Sequence, residues 1–291
     1  MIPQMERVFW GRPCRTPLML ASGTCGYGLE LLSSGNLDDV ALLVTKATTL
    51  RPREGNAPPR IADVGYGMLN SIGLANPGAS SVVSEILPSL AGAPCGVVIN
   101  VAGETLEEFR RVISLLERSE VHVGYEINVS CPNVSAGGMA FGVDPECVAE
   151  VTRAVRSATS RPFSVKLTPN GGDMVESARC AEAEGADAVT VCNTFLGMKL
   201  DWRTGRPALS RWTGGYSSPA LLPLVVARVW QISGAVRVPV IASGGVWDAG
   251  DVLELLAAGA AMVQLGTSVL RRPSRPAEIA IEMRSLLSER R

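Results

Sequence analysis

The feature that most constrains this chain is a repeated alternation. Eight short apolar runs stand at 18–21, 41–45, 96–101, 124–128, 163–167, 188–192, 239–242 and 262–265. They are nearly continuous rather than alternately polar, as suits parallel strands buried on both faces. Helical patterns separate most of them, at 105–118, 145–159, 173–184, 219–232, 248–258 and 276–287. Asp144 before Pro145 reads as an N-cap with proline at the first helical position, and Gly185 as a C-terminal stop. Eight strands with intervening helices predict an α/β chain folded as a (β/α)8 TIM barrel, one domain over 1–291, with long βα loops on its C-terminal face. A doubly wound sheet is the runner-up, but no Gly-x-Gly-x-x-Gly opens the first βα unit.

Composition excludes several functions. Net charge is −1 and aromatics make up 5%, so neither a basic stripe nor a stacking platform for nucleic acid is present. The start lacks the apolar core of a signal peptide, and no run reaches the roughly 18 apolar residues of a membrane span. A cytoplasmic protein with no membrane partner is expected. The seven cysteines contain no Cys-x-x-Cys pair, which argues against a disulfide scaffold or a zinc knuckle, and no metal is expected. Cys180 and Cys192 read as small core residues. The one histidine, His122, reads as a structural or surface residue, so Cys-His and Ser-His-Asp pairs are poor readings.

In such a barrel, polar residues at the C-terminal strand ends face the active site. Here these are Ser22, Lys46, Asn100, Asn128, Lys166, Asn193, Ser243 and Thr267. Lys166 lies within a buried run, where an ammonium needs a partner: a bound cofactor or an internal carboxylate. The seventh and eighth runs end in Ser243-Gly244-Gly245 and Gly266-Thr267-Ser268, with a helical stretch beyond. Glycine loops in those two places predict a cradle for a phosphorylated ligand. The stretch 49–78 reads as a lid or wall over the barrel mouth. A second excursion, 193–216, carries Trp202, Trp212 and Gly214-Gly215. The segment from Tyr125 to Asn133 turns polar at Asn128 and sets Ser130-Cys131 against Pro132. Alone, Cys131 reads as a nucleophile, a metal ligand or a core turn, and the scarcity of histidine weakens the first two.

An ordered series of motifs then carries a family resemblance. It runs through Ala21-Ser22-Gly23-Thr24, Thr45-Lys46, Arg51-Pro52-Arg53-Glu54-Gly55-Asn56 and Gly67-Met68-Leu69-Asn70-Ser71-Ile72-Gly73-Leu74. It continues with Asn76-Pro77-Gly78, Asn128-Val129-Ser130-Cys131-Pro132-Asn133, Val165-Lys166-Leu167, Asn193-Thr194, Gly197-Met198, Ser243-Gly244-Gly245 and Gly266-Thr267. The chain resembles the class 1 dihydroorotate dehydrogenases, the 1B branch more than the 1A. The resemblance implies FMN in a (β/α)8 barrel and oxidation of dihydroorotate to orotate in pyrimidine biosynthesis. It implies that Cys131 takes a proton from C5 of the substrate, that FMN N5 receives the hydride from C6, and that Lys46 touches both. By the same resemblance, Ala21, Ser22, Lys46, Asn100, Asn128, Lys166, Ser218, Gly244, Gly245, Gly266 and Thr267 contact FMN. Lys46, Met68, Leu69, Asn70, Gly73, Leu74, Asn128, Asn133, Asn193 and Thr194 surround the substrate. An amide-rich shell suits a flat ring bearing C=O and N–H groups.

The 1B branch further implies a homodimer and a separate FAD- and iron–sulfur-bearing subunit that passes electrons to NAD. This chain has no cysteine cluster for such a centre. Cys131, where the class 2 enzymes use serine, and the short polar start argue against that class. The sequence departs from the family at Gly214-Gly215-Tyr216-Ser217-Ser218-Pro219-Ala220: Ser218 stands for a glycine near the expected phosphate, and Tyr216 for a leucine. Trp202 and Trp212 are bulky for a loop near a flavin. The rival readings are an FMN-dependent paralogue acting on another pyrimidine-like ring or cyclic enone or amide, a Schiff-base aldolase using Lys166, and a non-catalytic binding barrel.

Overall fold

The computed structural model describes residues 4–32, 37–130, 132–133 and 139–289. Eight parallel strands close a barrel: β1 (Leu18–Leu20), β2 (Leu42–Val44), β3 (Gly96–Val101), β4 (His122–Asn128), β5 (Phe163–Lys166), β6 (Ala188–Val191), β7 (Val240–Ser243) and β8 (Ala260–Leu265). All eight lie where the apolar runs place them. Closure runs through β8, whose Val263 pairs with Leu18 of β1, and this removes the doubly wound alternative. The helices are α1 (Leu29–Leu32), α2 (a helical stretch over 79–89), α3 (Leu106–Leu116), α4 (Pro145–Arg156), α5 (Met174–Ala183), α6 (Leu222–Ser233), α7 (Ala249–Ala257), α8 (Thr267–Arg271) and α9 (Arg275–Ser288). Their starts follow capping chemistry. Thr105 Oγ1 accepts from Glu108 N–H, Asp144 from Glu146 N–H, and Asp248 forms a capping box with Asp251.

Two features have no counterpart in the apolar pattern. A hairpin, Arg7–Phe9 with Arg12–Cys14, closes the N-terminal end of the barrel. Its turn needs two left-handed residues, Trp10 (φ 48°) and Gly11 (φ 71°). Phe9 and Cys14 pack there with Met19, Val98 and Met262. Trp10 fits against Gly124, where an added Cβ would come 2.9 Å from its ring.

The second is a four-stranded antiparallel sheet over the barrel mouth, in the order Phe195–Gly197, Gly214–Ser217, Met68–Asn70 and Ile61–Asp63. It joins the two long excursions, so 49–78 is an ordered wall. Gly214 and Gly215 are required by close approach: a Cβ on the first would lie 2.5 Å from Asn70 O, and on the second 2.1 Å from Thr194 Oγ1. The wall is pinned at both ends. Asn76 Oδ1 accepts from the N–H of Thr49 and of Gly78, Asn56 Nδ2 donates to Ser71 O, and Arg271 of α8 pairs with Asp63 at 3.0 Å.

His122 is structural rather than surface: it is buried, its ring lies 4.9 Å from that of Tyr125, and neither ring nitrogen has a partner among the described residues. Burial first, and the Arg161 charge second, lower its pKa from 6.5 to about 4, with Glu117 and Glu120 opposing. Between those values the unfolded chain holds a proton that the folded chain does not, so stability falls as pH drops. The full loss is about 3 kcal/mol, complete below pH 4. Urea titrations across that window should show it, and His122→Phe should flatten it. Cys192 is buried as expected, but Cys180 is only half-buried, on α5 beside Glu176 and Glu184. Among the described residues there is no group of metal-ligand type and no helix long and apolar enough to cross a membrane.

Candidate active site

A cleft with an empty volume of about 1130 Å³, including its open mouth, lies where the strands end. Its floor is Lys166, Cys192 and Gln264. The glycine loops after β7 and β8 form one end, and Met68, Asn70, Ile72 and Tyr216 of the antiparallel sheet region form a wall. Twelve of the residues that the family resemblance assigns meet here, Ala21, Ser22, Met68, Asn70, Lys166, Asn193, Thr194, Ser218, Gly244, Gly245, Gly266 and Thr267, together with Ser243 and Ser268 of the glycine loops. Lys46, Leu69, Gly73, Leu74, Asn100 and Asn128 do not line it. Asn133 is described by its backbone alone, and Cys131 lies outside the described residues. Trp202 and Trp212 are exposed and do not reach the cleft.

The glycine end has the build of an anion cradle. Gly244 (φ 124°) and Gly245 (φ 81°) turn the chain over the start of α6. A Cβ at Gly245 would lie 2.6 Å from Leu222 N and 2.5 Å from its Cα. Across the cleft, Thr267 Oγ1 bonds Ser217 Oγ at 2.8 Å, and the buried Ser268 hydroxyl has no partner among the described residues. Ser218 does not obstruct this end: its Oγ donates to Tyr66 O at 2.8 Å and accepts from Ala220 N–H, capping the turn Pro219–Leu221. The close glycine backbone and the orphaned hydroxyl fit a phosphate group. Gly245→Ala should lower affinity for a phosphorylated ligand at least about tenfold and cost roughly 1–3 kcal/mol of stability, since both the backbone angle and the Leu222 contact resist a side chain. Ligand titration and thermal melts check both.

The floor rests on a polar layer inside the barrel. Glu126 is wholly buried and pairs with Lys166 at 3.4 Å. Its Oε1 also accepts from Asn100 Nδ2 at 2.9 Å, and its Oε2 from Gln264 Nε2 at 2.6 Å and Thr190 Oγ1 at 3.2 Å. Lys166 thus has an internal carboxylate and still reaches the cleft. Sequence reading picked neither Glu126 nor Gln264. The available signal was a polar residue inside an apolar run, Gln264 in 262–265 and Glu126 in 124–128, the latter two positions before Asn128 and so on its face of the strand.

Beside the floor, two amides frame the segment that leads to Cys131. Asn193 Nδ2 donates to Asn128 Oδ1 at 3.2 Å and to Ser130 Oγ at 2.8 Å. Asn128 Oδ1 accepts from Ser130 N–H at 3.1 Å, and Asn193 Oδ1 from Thr194 N–H at 2.9 Å. Gly142 N–H bonds Val129 O, holding the far side of the loop. Lys46 is half-buried; desolvation lowers its pKa, the nearby Arg60 lowers it further, and Glu30 opposes. Burial pushes Cys192 up to about 12 against the pull of Lys166 and Arg228, so it is a neutral thiol at the cleft.

A closed parallel barrel with a lysine on its floor and glycine loops after its last two strands is the build of an enzyme that holds a phosphorylated ligand. The chain belongs to the dihydroorotate dehydrogenase family, whose sequence model matches residues 4–287. It is 43% identical over 289 residues to the catalytic subunit of dihydroorotate dehydrogenase B (NAD(+)) of Pelobacter propionicus, covering 99% of this chain and 95% of that protein. To the proteins of the same name from Geotalea daltonii and Bacillus pumilus it is 42% and 43% identical, covering 99% and 96% of this chain and 94% and 90% of theirs. The family is one of oxidoreductases, and the Schiff-base aldolase reading of Lys166 falls with that assignment.

Proposed function

We propose that this chain is the catalytic subunit of an NAD-linked dihydroorotate dehydrogenase, an FMN-dependent oxidoreductase that converts dihydroorotate to orotate in pyrimidine biosynthesis. The observation that carries this reading is the single cleft in which the glycine cradle, the Lys166 floor and Asn70, Asn193 and Thr194 meet. Near-full-length similarity to proteins of that name supports it.

Gly244, Gly245, Gly266, Thr267 and Ser268 hold the phosphate of FMN, and Lys166 with Ala21 and Ser22 holds its ring system. When bound, FMN supplies the hydride-accepting centre. Asn70, Asn193 and Thr194 orient the substrate ring through its C=O and N–H groups, a task that suits amides because each offers donor and acceptor. The antiparallel wall keeps water from that side. Cys131 takes the substrate proton, and the Asn128–Asn193–Ser130 frame fixes the backbone one residue before it. We assign to Lys46 the positive charge that favours the Cys131 thiolate. The word subunit in the relatives' names agrees with a separate partner; we read that partner as bearing FAD and an iron–sulfur centre, and the catalytic chain as a cytoplasmic homodimer.

The test is anaerobic mixing of the purified protein with dihydroorotate, following the bleaching of the flavin. Rapid bleaching is expected, and re-oxidation by NAD only with the partner subunit present. A colourless protein that takes up no added FMN overturns the cofactor, and a yellow protein unbleached by dihydroorotate overturns the substrate. Fumarate and quinone as alternative oxidants test the acceptor.

A further inference from the structure

Glu126 takes no part in the scheme above, yet its surroundings constrain the cleft. It points into the barrel between β3, β5, β6 and β8 and is wholly buried. Donors from all four strands converge on it: Asn100 Nδ2, Lys166 Nζ, Thr190 Oγ1 and Gln264 Nε2. A carboxylate only accepts hydrogen bonds, so each neighbour must turn a donor toward it. For Gln264 this fixes the amide. With Nε2 bonded to Glu126 at 2.6 Å, Oε1 faces Lys166 at 3.4 Å. The opposite orientation would press two acceptors together. Lys166 therefore has two acceptors within the barrel, Glu126 Oε1 and Gln264 Oε1, each at 3.4 Å. An ammonium has three N–H groups, so one remains for the cleft, which Lys166 and Gln264 both line.

We propose that Glu126 is a positioning residue that sets the hydrogen-bonding face of the cleft floor, fixing the Gln264 amide and through it aiming the remaining N–H of Lys166 at the ring system held above. The inference rests on the FMN reading. A carboxylate that served only to fill the barrel would affect stability when neutralised, not the affinity or the colour of the flavin.

The experiment compares FMN binding by fluorescence quenching, the visible flavin spectrum and the flavin midpoint potential in the wild type and three variants. In Glu126→Gln, an N–H2 group meets donors, the Gln264 amide turns over and Lys166 loses an acceptor. FMN affinity should fall roughly ten- to a hundredfold, the scale of one orphaned buried polar group, with shifted bands and potential. Adding Gln264→Glu exchanges the carboxylate and the amide between the two positions, returns an anion to Lys166 and should recover most of the affinity. Thr190→Val removes another donor to the same carboxylate without touching the cleft and should bind FMN like the wild type.

Unchanged affinity, spectrum and potential in Glu126→Gln overturn the proposal. So does a loss that Gln264→Glu does not recover, or one that Thr190→Val reproduces. Should Glu126→Gln not fold, the double variant decides alone: near-wild-type affinity supports the proposal, and no binding overturns it. A wild type that takes up no FMN instead overturns the cofactor reading beneath it, so the two failures are distinct.

Discussion

Replacing Cys131 by alanine should slow reduction of the bound flavin by dihydroorotate by about 10²–10⁴-fold while FMN stays in place, the scale of a lost general base. No described cysteine can stand in. Cys192 is the one described cysteine that lines the cleft, and its thiol is pushed up to about 12. Cys25 and Cys95 are buried away from the cleft and pushed up to about 12 and about 11. The residues that position the segment ahead of Cys131 survive the substitution, since Ser130 is held by Asn128 and Asn193 through its own N–H and hydroxyl. Binding and chemistry should therefore separate: near-normal flavin titration with a large loss in single-turnover rate. A wild-type rate in stopped-flow mixing would remove Cys131 from the mechanism.

Lys166→Met should have the largest effect on the folded state. It leaves the Glu126 carboxylate buried with no cation, and breaking a buried pair from one side costs about 3–5 kcal/mol. The urea midpoint should fall accordingly, and the protein should lose FMN. Combining Lys166→Met with Glu126→Gln removes both charges and should return much of the stability, because a neutral pair carries no desolvated ion. FMN binding should not return with it, since the donor on the cleft floor is still missing. Equal stability of wild type and Lys166→Met would show that the pair is not buried in solution.

The barrel was legible because each strand is buried on both faces and so appears as an unbroken apolar run. The glycine loops were legible because tight turns and close approach leave few residue choices. The hairpin at 7–14 was not, since its turn is Trp10-Gly11 and its two strands have three residues each. The wall at 49–78 was legible but its antiparallel pairing was not: its strands have three or four residues, and the two excursions find each other across half of the chain, as Gly215 pairs with Asn70. Glu126 and Gln264 were hidden because a polar residue in a buried strand declares itself only through partners on other strands. Ser218 was read by its departure from a glycine, and the structure gives its hydroxyl a capping role instead.

The wall has a consequence for how the molecule assembles. Two of its strands leave the chain after β2 and the other two after β6, so their pairing closes a loop of about 145 residues. Contacts so distant in sequence form late, after the barrel strands between them have come together. The same sheet rests on few hydrogen bonds and has exposed residues such as Ile61 and Leu196, placing it at the low-stability end of the fold. Amides at 68–70 and 214–217 should therefore exchange with solvent as one unit, well before those of β3 or β4. The substrate side of the cleft would then be the first to open.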